Sequence, residues 1–237
     1  KHLQIQGRSA KSIFILQMPR NIVSLFKRFG RRVFQIRTSS SCKPLAAIVM
    51  NDSEYIEYWK KEGESLFTFP KSTIANSTIT KTTNNFLTNC GFPISIAPFL
   101  SFSVIKEAKF MSVANEFDIK ELDLDHYFTF GFNGSGDPIC IDTSKNDQIV
   151  YLNHDNNFER IFINDEVEYF GYSLILYHNF FKSIISDKLD DFSKRKFSNE
   201  EFDELKDKFI ANDPKSLDKY SFWQLELDAL LEERDNA

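Results

Sequence analysis

The residues best suited to chemistry lie in a glycine-rich segment at 133–137, with the sequence NGSGD. Such loops bind phosphate when a helix follows and a Lys-Ser or Lys-Thr pair completes the motif, and neither feature is present here. Calcium binding by Asn133, Asp137 and Asp142 would need more oxygen ligands than this spacing supplies. Ser135 also lacks the G-x-S-x-G context of a hydrolase nucleophile. We therefore expect no catalytic, metal-binding or cofactor-binding residues here, and no cofactor.

The histidines do not have the spacing of a metal site. His126, His154 and His178 have no ligand partner four residues on and no neighbouring cysteine. His154 precedes Asp155, and this pair could perform acid–base catalysis. The Asn-rich sequence around it is also typical of a solvated turn, which is the interpretation we adopt.

The three cysteines, Cys42, Cys90 and Cys140, are odd in number and far apart. This pattern favours free thiols in a reducing compartment, and it predicts a cytoplasmic protein. Each apolar cluster in residues 1–49 is broken well short of the roughly 18 residues that a membrane span needs. We therefore expect no membrane span.

Charge divides the chain into two parts. Residues 1–49 contain ten Lys or Arg and no acid, whereas residues 50–237 contain 19 basic and 34 acidic residues, a formal charge of −15. The first part fits a transit peptide, a segment that contacts anionic lipid or nucleic acid, or leader sequence ahead of a true start at Met50. We expect residues 1–49 to be a basic extension, either disordered or an upstream leader, and residues 50–237 to form the folded domain.

The acidic residues are the feature of this second part that indicates a function. Five of them form a run: Glu116, Asp118, Glu121, Asp123 and Asp125. Apolar residues alternate with the run and should hold it on the core: Phe117, Ile119, Leu122 and Leu124. An acidic surface steers a basic protein toward it and repels nucleic acid. We expect this run to bind a protein partner, with Asp137 and Asp155 as second candidates; the alternative is that these carboxylates are only solvated.

Four strand-like segments after residue 126 must position these side chains. They are Tyr127–Phe132, 139–142, 149–152 and 160–163, separated by turns rich in Gly, Asn and Asp. A helical stripe then follows, made of Val167, Phe170, Leu174, Tyr177, Phe181 and Ile184, with Asp165 and Glu168 as a predicted capping box. The pattern predicts an antiparallel meander covered by one long helix.

Shorter elements flank this unit. Capping boxes predict helices that begin after Asn51 and after Ser198, and Ser221 with Gln224 predicts a last helix. Between them we expect a strand at 65–69, a helix at 78–90 that stops at Gly91, and an extended entry into the sheet at the two prolines that follow. Residues 102–117 give mixed signals that suggest an edge strand. The fold class is therefore α+β, with helices flanking a meander-type sheet.

The succession LTNCGFP, PFLSF, YFTFGFNGSGDPICID, IVYLNHD and IFINDEVEYFGYSLILY resembles the SUKH superfamily, and within it the bacterial immunity proteins. The similarity covers residues 52–185, and residues 186–237 are consistent with helices at the end of such a domain. No single motif is specific; the order of the motifs carries the resemblance.

This resemblance implies a non-catalytic binding module with an α+β fold. Many bacterial members are antidotes encoded beside polymorphic toxins, which are often nucleases or deaminases, and a eukaryotic member is an interaction hub. We therefore expect an immunity protein that neutralises a basic toxin domain, without binding nucleic acid, as a monomer or weak oligomer. The alternative is a regulatory scaffold that binds several endogenous proteins.

Overall fold

The structure is a computed structural model that describes residues 50–75, 77–102, 110–184 and 196–236. The expectations for residues 1–49 therefore lie outside the described residues. The helices are α1 Asp52–Lys61, α2 Lys71–Ile74, α3 Lys81–Asn85, α4 Val113–Glu116, α5 Val167–Ile184, α6 Asn199–Asn212 and α7 Phe222–Asp235. The strands are β1 Leu66–Phe67, β2 Phe92–Pro93, β3 Ser95–Ile96, β4 Leu100–Ser101, β5 Tyr127–Phe132, β6 Pro138–Asp142, β7 Gln148–Asn153 and β8 Glu159–Asn164.

Strands β3 to β8 form one six-stranded sheet in which each strand pairs with the next along the chain. Every pairing in this sheet is antiparallel, and antiparallel strands that pair in chain order form a meander. Strands β1 and β2 pair with each other in a separate sheet. The predicted α+β fold with a meander sheet is confirmed, and all four predicted strands are present within one residue of their predicted ends. The short hairpin β3–β4 adds two strands at one edge.

Successive side chains of a strand point to opposite faces, so the buried residues are divided between the two faces of the sheet. Ile139 and Ile141 of β6 belong to the main core, whereas Cys140 between them belongs to a second, smaller core. Helix α5 supplies much of the main core, since Val167, Phe170 and other stripe residues are buried there. The long helix therefore packs on one face, as predicted, and a different segment covers the other.

Most local signals in the flanking segments are confirmed. The capping boxes at Asn51 and Ser198 form with both of their hydrogen bonds, and Ser221 caps α7 through the Gln224 amide. The predicted helix at 78–90 begins later, because Thr80 is the cap of α3, and it continues as a π-helical turn, Phe86–Cys90.

Two predictions are wrong. Residues 103–109 of the suggested edge strand at 102–117 lie outside the described residues, and the described residues 110–117 do not form a strand. Only Ser112 bridges to β5, and α4 follows it. The capping box at Asp165 and Glu168 does not form either, because the Asp165 amide donates to Oδ2 of Asp213 at 2.8 Å. The Asp165 carboxylate, the other half of the predicted box, accepts from Gln148 Nε2 at 2.7 Å and from Lys215 Nζ at 3.0 Å instead.

The contact of the Asp165 amide with Asp213 belongs to a buried polar cluster where β8 meets α5 and α7. Asn164 Nδ2 donates to Asp213 Oδ2 at 2.9 Å, and Trp223 Nε1 donates to Asn164 Oδ1 at 2.9 Å. Asn164, Asp213 and Trp223 are all fully buried. Buried polar groups must be paired to avoid a desolvation cost, so this cluster fixes how the last two helices dock.

Candidate partner-binding surface

Residues 110–126 cover the face of the sheet opposite α5. The Thr129 amide of β5 donates to the Met111 carbonyl at 3.2 Å, which joins the start of the segment to the sheet. Val113 and Leu124 are buried against Cys140, Val150 and Leu152 of the second core. Phe117, Ile119 and Leu122 pack at its margin, so the apolar residues hold the acidic run on the core as expected.

Four carboxylates of the run point outward from this anchored backbone. Asp118, Glu121, Asp123 and Asp125 are exposed, and only Lys120 lies among them as a basic residue. The Lys120 ammonium is 3.8 Å from Asp118, in a pair so exposed that water screens it strongly. These side chains therefore form a negatively charged strip whose backbone is fixed from beneath.

Glu116 does not belong to that strip. Its side chain is half-buried, and its Oε2 atom is buried without a hydrogen-bond partner among the described residues. Burial raises the pKa of the Glu116 carboxyl, and the Thr129 side chain opposes part of that rise. The structure thus leaves this member of the predicted set half-buried beside the second core, apart from the exposed strip.

Asp137 is also turned inward, with an exposed fraction of 6%. Its Oδ1 atom accepts from the His154 amide at 2.9 Å and lies 2.6 Å from His154 Nδ1. Its Oδ2 atom accepts from Asn133 Nδ2 at 2.9 Å. The carboxylate therefore joins the β5–β6 turn to the β7–β8 turn instead of facing a partner.

Asp155 remains exposed beside this cluster, and Nε2 of His154 lies 3.4 Å from its carboxylate. The turn that carries it is a 3-10 turn, His154–Asn156, as the solvated-turn interpretation predicted. The Phe158 ring in the same turn is 5.3 Å from the Phe117 ring, which brings this turn next to the start of the acidic run.

A second charged cluster stabilises the other end of the covered face. Asp142 is buried and accepts from Arg160 Nε at 2.9 Å and from Ser144 Oγ at 2.6 Å. His126 lies between this buried carboxylate and the exposed Asp123, with nitrogen–oxygen distances of 4.0 and 3.5 Å. One end of the acidic run is therefore linked to the sheet through His126.

The sequence predicted neither the cluster of Asp137 and His154 nor the cluster of Asp142 and Arg160. Asp142 and Arg160 are 18 positions apart, and no local spacing connects them. The available signal was the alternation of side chains between the two faces of a strand. Cys140, Asp142 and Arg160 fall on one face of the sheet once the register of β6, β7 and β8 is known. That register depends on the turns and on the irregularity between β7 and β8 at Ile149 and Val150, so the pairing requires the tertiary structure.

The described side chains do not suggest metal chemistry. Within the four described ranges, no group of three or more His, Cys, Asp or Glu residues is placed to hold a metal ion. Within the same ranges, no helix has both the length and the apolar character needed to cross a membrane.

Comparisons with known proteins give one match. No curated protein and no solved structure was found to match the chain. The family model described as SUKH-4 immunity protein matches residues 56–232, which include the sheet, the acidic run, α5, α6 and most of α7. The chain therefore belongs to the SUKH-4 immunity protein family.

Proposed function

We propose that this protein is a cytoplasmic immunity protein that binds one cognate toxin domain with a basic surface and neutralises it by covering that surface. The family is one of immunity proteins, which are generally non-catalytic. The observation that carries the proposal is the strip formed by Asp118, Glu121, Asp123 and Asp125, exposed on a backbone that Val113 and Leu124 anchor. A nuclease or deaminase that binds nucleic acid presents the complementary positive charge.

The anchored strip suits fast and tight recognition. Clustered carboxylates raise the rate of encounter with a basic domain, and the effect falls as salt increases. A backbone that is already fixed loses little conformational entropy on binding, so more of the interaction energy appears as affinity. Contact over about 800 Å² on each partner, as in other tight inhibitors, would cover a substrate-binding cleft.

One further feature agrees with this proposal. Cys90 and Cys140 are buried free thiols, as expected for a protein in a reducing compartment, and burial raises the pKa of the Cys90 thiol to about 12. The domain boundary at residue 50 stays a prediction.

The test is protection by the full chain. Each gene next to the gene for this chain is expressed in turn from an inducible promoter, with and without the protein, and cell survival is counted; a product that kills is the candidate toxin. We expect survival only with the protein, and a one-to-one complex on size-exclusion chromatography with light scattering. Unchanged killing, or several weak endogenous partners instead of one stoichiometric toxin, would favour the regulatory scaffold.

A further inference from the structure

One phenylalanine side chain among the described residues is left in solvent. Phe99, at the tip of the β3–β4 hairpin, is 54% exposed, and it is the only exposed Phe among the described residues. Ile94, in the residues leading into the same hairpin, is exposed as well. Single exposed apolar residues are common on protein surfaces, so the surroundings of Phe99 decide what this one means.

The Phe99 backbone is held in an unusual conformation. Its φ angle is +66°, in the left-handed region that a bulky residue rarely adopts. The residue lies directly on the β5–β6 turn, since a Cβ atom added to Gly134 would be 3.0 Å from the Phe99 Cβ. The position of the aromatic residue is therefore set by the turn beneath it.

Acidic residues lie at the same end of the sheet as Phe99. The β5–β6 turn is joined to the β7–β8 turn through Asp137 and His154, and Asp155 in the second turn is 83% exposed. The contact between Phe158 and Phe117 continues this surface to Asp118, which is 90% exposed. We call the surface formed by Phe99, the β5–β6 turn, Asp155 and Asp118 the sheet-end surface.

We propose that Phe99 is the aromatic anchor of the toxin interface, and that the toxin domain receives it in an apolar pocket bordered by Lys or Arg. This inference rests on the proposed function and names the chemistry of the partner. Interfaces commonly depend on a few central anchors, and aromatic rings contribute large contact area at low conformational cost. Asp155 and Asp118 then pair with the basic border of the pocket.

Charge argues against a second copy of this chain as the occupant. Two sheet-end surfaces that faced each other would bring Asp155 and Asp118 of one copy close to the same carboxylates of the other. Like charges brought together in this way oppose association, whereas a basic partner relieves the repulsion. The acidic strip lies next to this surface, so one basic domain can contact both.

The test compares two exposed aromatic residues that have similar, positive φ angles. Phe99→Asn removes the ring and keeps a residue that tolerates φ > 0. Tyr220→Asn is the matched control, because Tyr220 is 65% exposed, has φ +69° and lies in the α6–α7 connection. Binding of the full chain to the toxin domain identified by the protection test is measured by calorimetry, with thermal unfolding as the check of the fold.

We expect Phe99→Asn to weaken binding about 30-fold or more, the threshold of an interface hot spot, and Tyr220→Asn to change it less than about threefold. Phe99→Tyr, which keeps the ring, should bind nearly as the wild type does. A measurement without variants adds a second check: hydrogen exchange at residues 97–101 and 133–137 should slow when the toxin binds.

The outcomes separate this inference from the proposed function. If Phe99→Asn binds within about threefold of the wild type, or if exchange at those two segments is unchanged in the complex, Phe99 is not the anchor although the protein is still an antidote. If the wild-type chain neither binds nor protects against the toxin domain, the proposed function and this inference both fall.

Discussion

The carboxylate of Asp137 lies 2.6 Å from Nδ1 of His154 and joins two turns that are 17 positions apart in the chain. The same carboxylate accepts from the His154 amide and from Asn133, so both of its oxygens are used inside the protein. A His–Asp pair of this geometry could orient an imidazole for acid–base chemistry. Here it holds together the end of the sheet that presents Asp155 and Phe99.

The first prediction concerns that pairing. Asp137→Asn keeps the shape of the side chain, but its amide nitrogen must face either the Asn133 donor or the donors of His154. A buried donor is then left unpaired, which should lower the free energy of unfolding by about 1–3 kcal/mol. Urea denaturation measures this loss. Asp155→Asn, in the exposed part of the β7–β8 turn, should stay within about 0.5 kcal/mol of the wild type. Equal losses in the two variants would contradict the assignment.

The second prediction concerns the cluster that docks α7. Asp213→Ala leaves the donors of Asn164, Asp165 and the Lys215 amide without their acceptor. Loss of this fully buried carboxylate should lower the free energy of unfolding by about 3 kcal/mol or more, because three donors lose their partner together. Asp218→Ala, an exposed acid in the same loop, is the control and should be close to neutral.

The third prediction compares two glycines with positive φ angles. Gly91 has φ +70°, and a Cβ added there would lie 2.0 Å from the Phe67 carbonyl oxygen. Gly63 has φ +81°, with nothing within 4 Å of an added Cβ. Gly63→Ala should therefore cost only the backbone strain, about 1–2 kcal/mol, whereas Gly91→Ala should cost several kcal/mol more because β1 and β2 must separate. Similar melting temperatures for the two variants would show that the crowding at Gly91 is relieved cheaply.

The fourth prediction tests the acidic strip. Replacing Glu121, Asp123 and Asp125 by Lys should slow association with the toxin domain about tenfold or more at low salt, and the difference should shrink as salt rises. The fold should be retained, because these side chains are exposed. Stopped-flow association measured over a salt series gives the result.

The control for that variant carries the same change in net charge at dispersed sites. Glu57, Asp207 and Glu232 are exposed acids on α1, α6 and α7 and are replaced by Lys. This triple variant should associate much faster than the variant of the strip. If the two triple variants slow association equally, net charge rather than the strip directs the encounter.

The fifth prediction is a pH dependence of stability. Burial, helped by the nearby carboxylate of Glu233, raises the pKa of Glu226 in α7 from 4.5 to about 8. The folded protein then binds more protons than the unfolded chain between these values, so this residue lowers stability as pH rises from 4.5 to 8. Glu226→Gln should be more stable than the wild type by about 1–2 kcal/mol at pH 8.5, a gain that should vanish near pH 4.5.

Thermal unfolding over this pH range provides the measurement. Glu232→Gln, on the exposed side of the same helix, should leave the pH profile unchanged. An equal pH profile for Glu226→Gln and the wild type would show that the carboxylate of Glu226 is hydrated in the folded protein.

The sequence by itself determined the elements whose signals are local. Polar turns separate runs of aromatic and β-branched residues, and this spacing predicts β5 to β8 because each reversal is encoded in a few adjacent residues. The caps at Asn51, Ser198 and Ser221 are local in the same sense, since the donor and acceptor are three residues apart. The alternation of apolar and acidic residues likewise predicted that the run at 116–125 is attached to the core.

Only the tertiary structure decided which carboxylates reach the surface. Asp137 and Asp155 both lie in polar turns, yet one is buried by a histidine from another hairpin and the other is exposed. Glu116 faces inward because α4 replaces the expected strand and turns its side chain toward the second core. The capping box of Asp165 and Glu168 does not form, because Asp213, 48 positions later, accepts from the Asp165 amide, and the Asp165 carboxylate accepts from Gln148 and Lys215. Each of these outcomes depends on partners that are distant in the chain, and a local pattern contains no information about them.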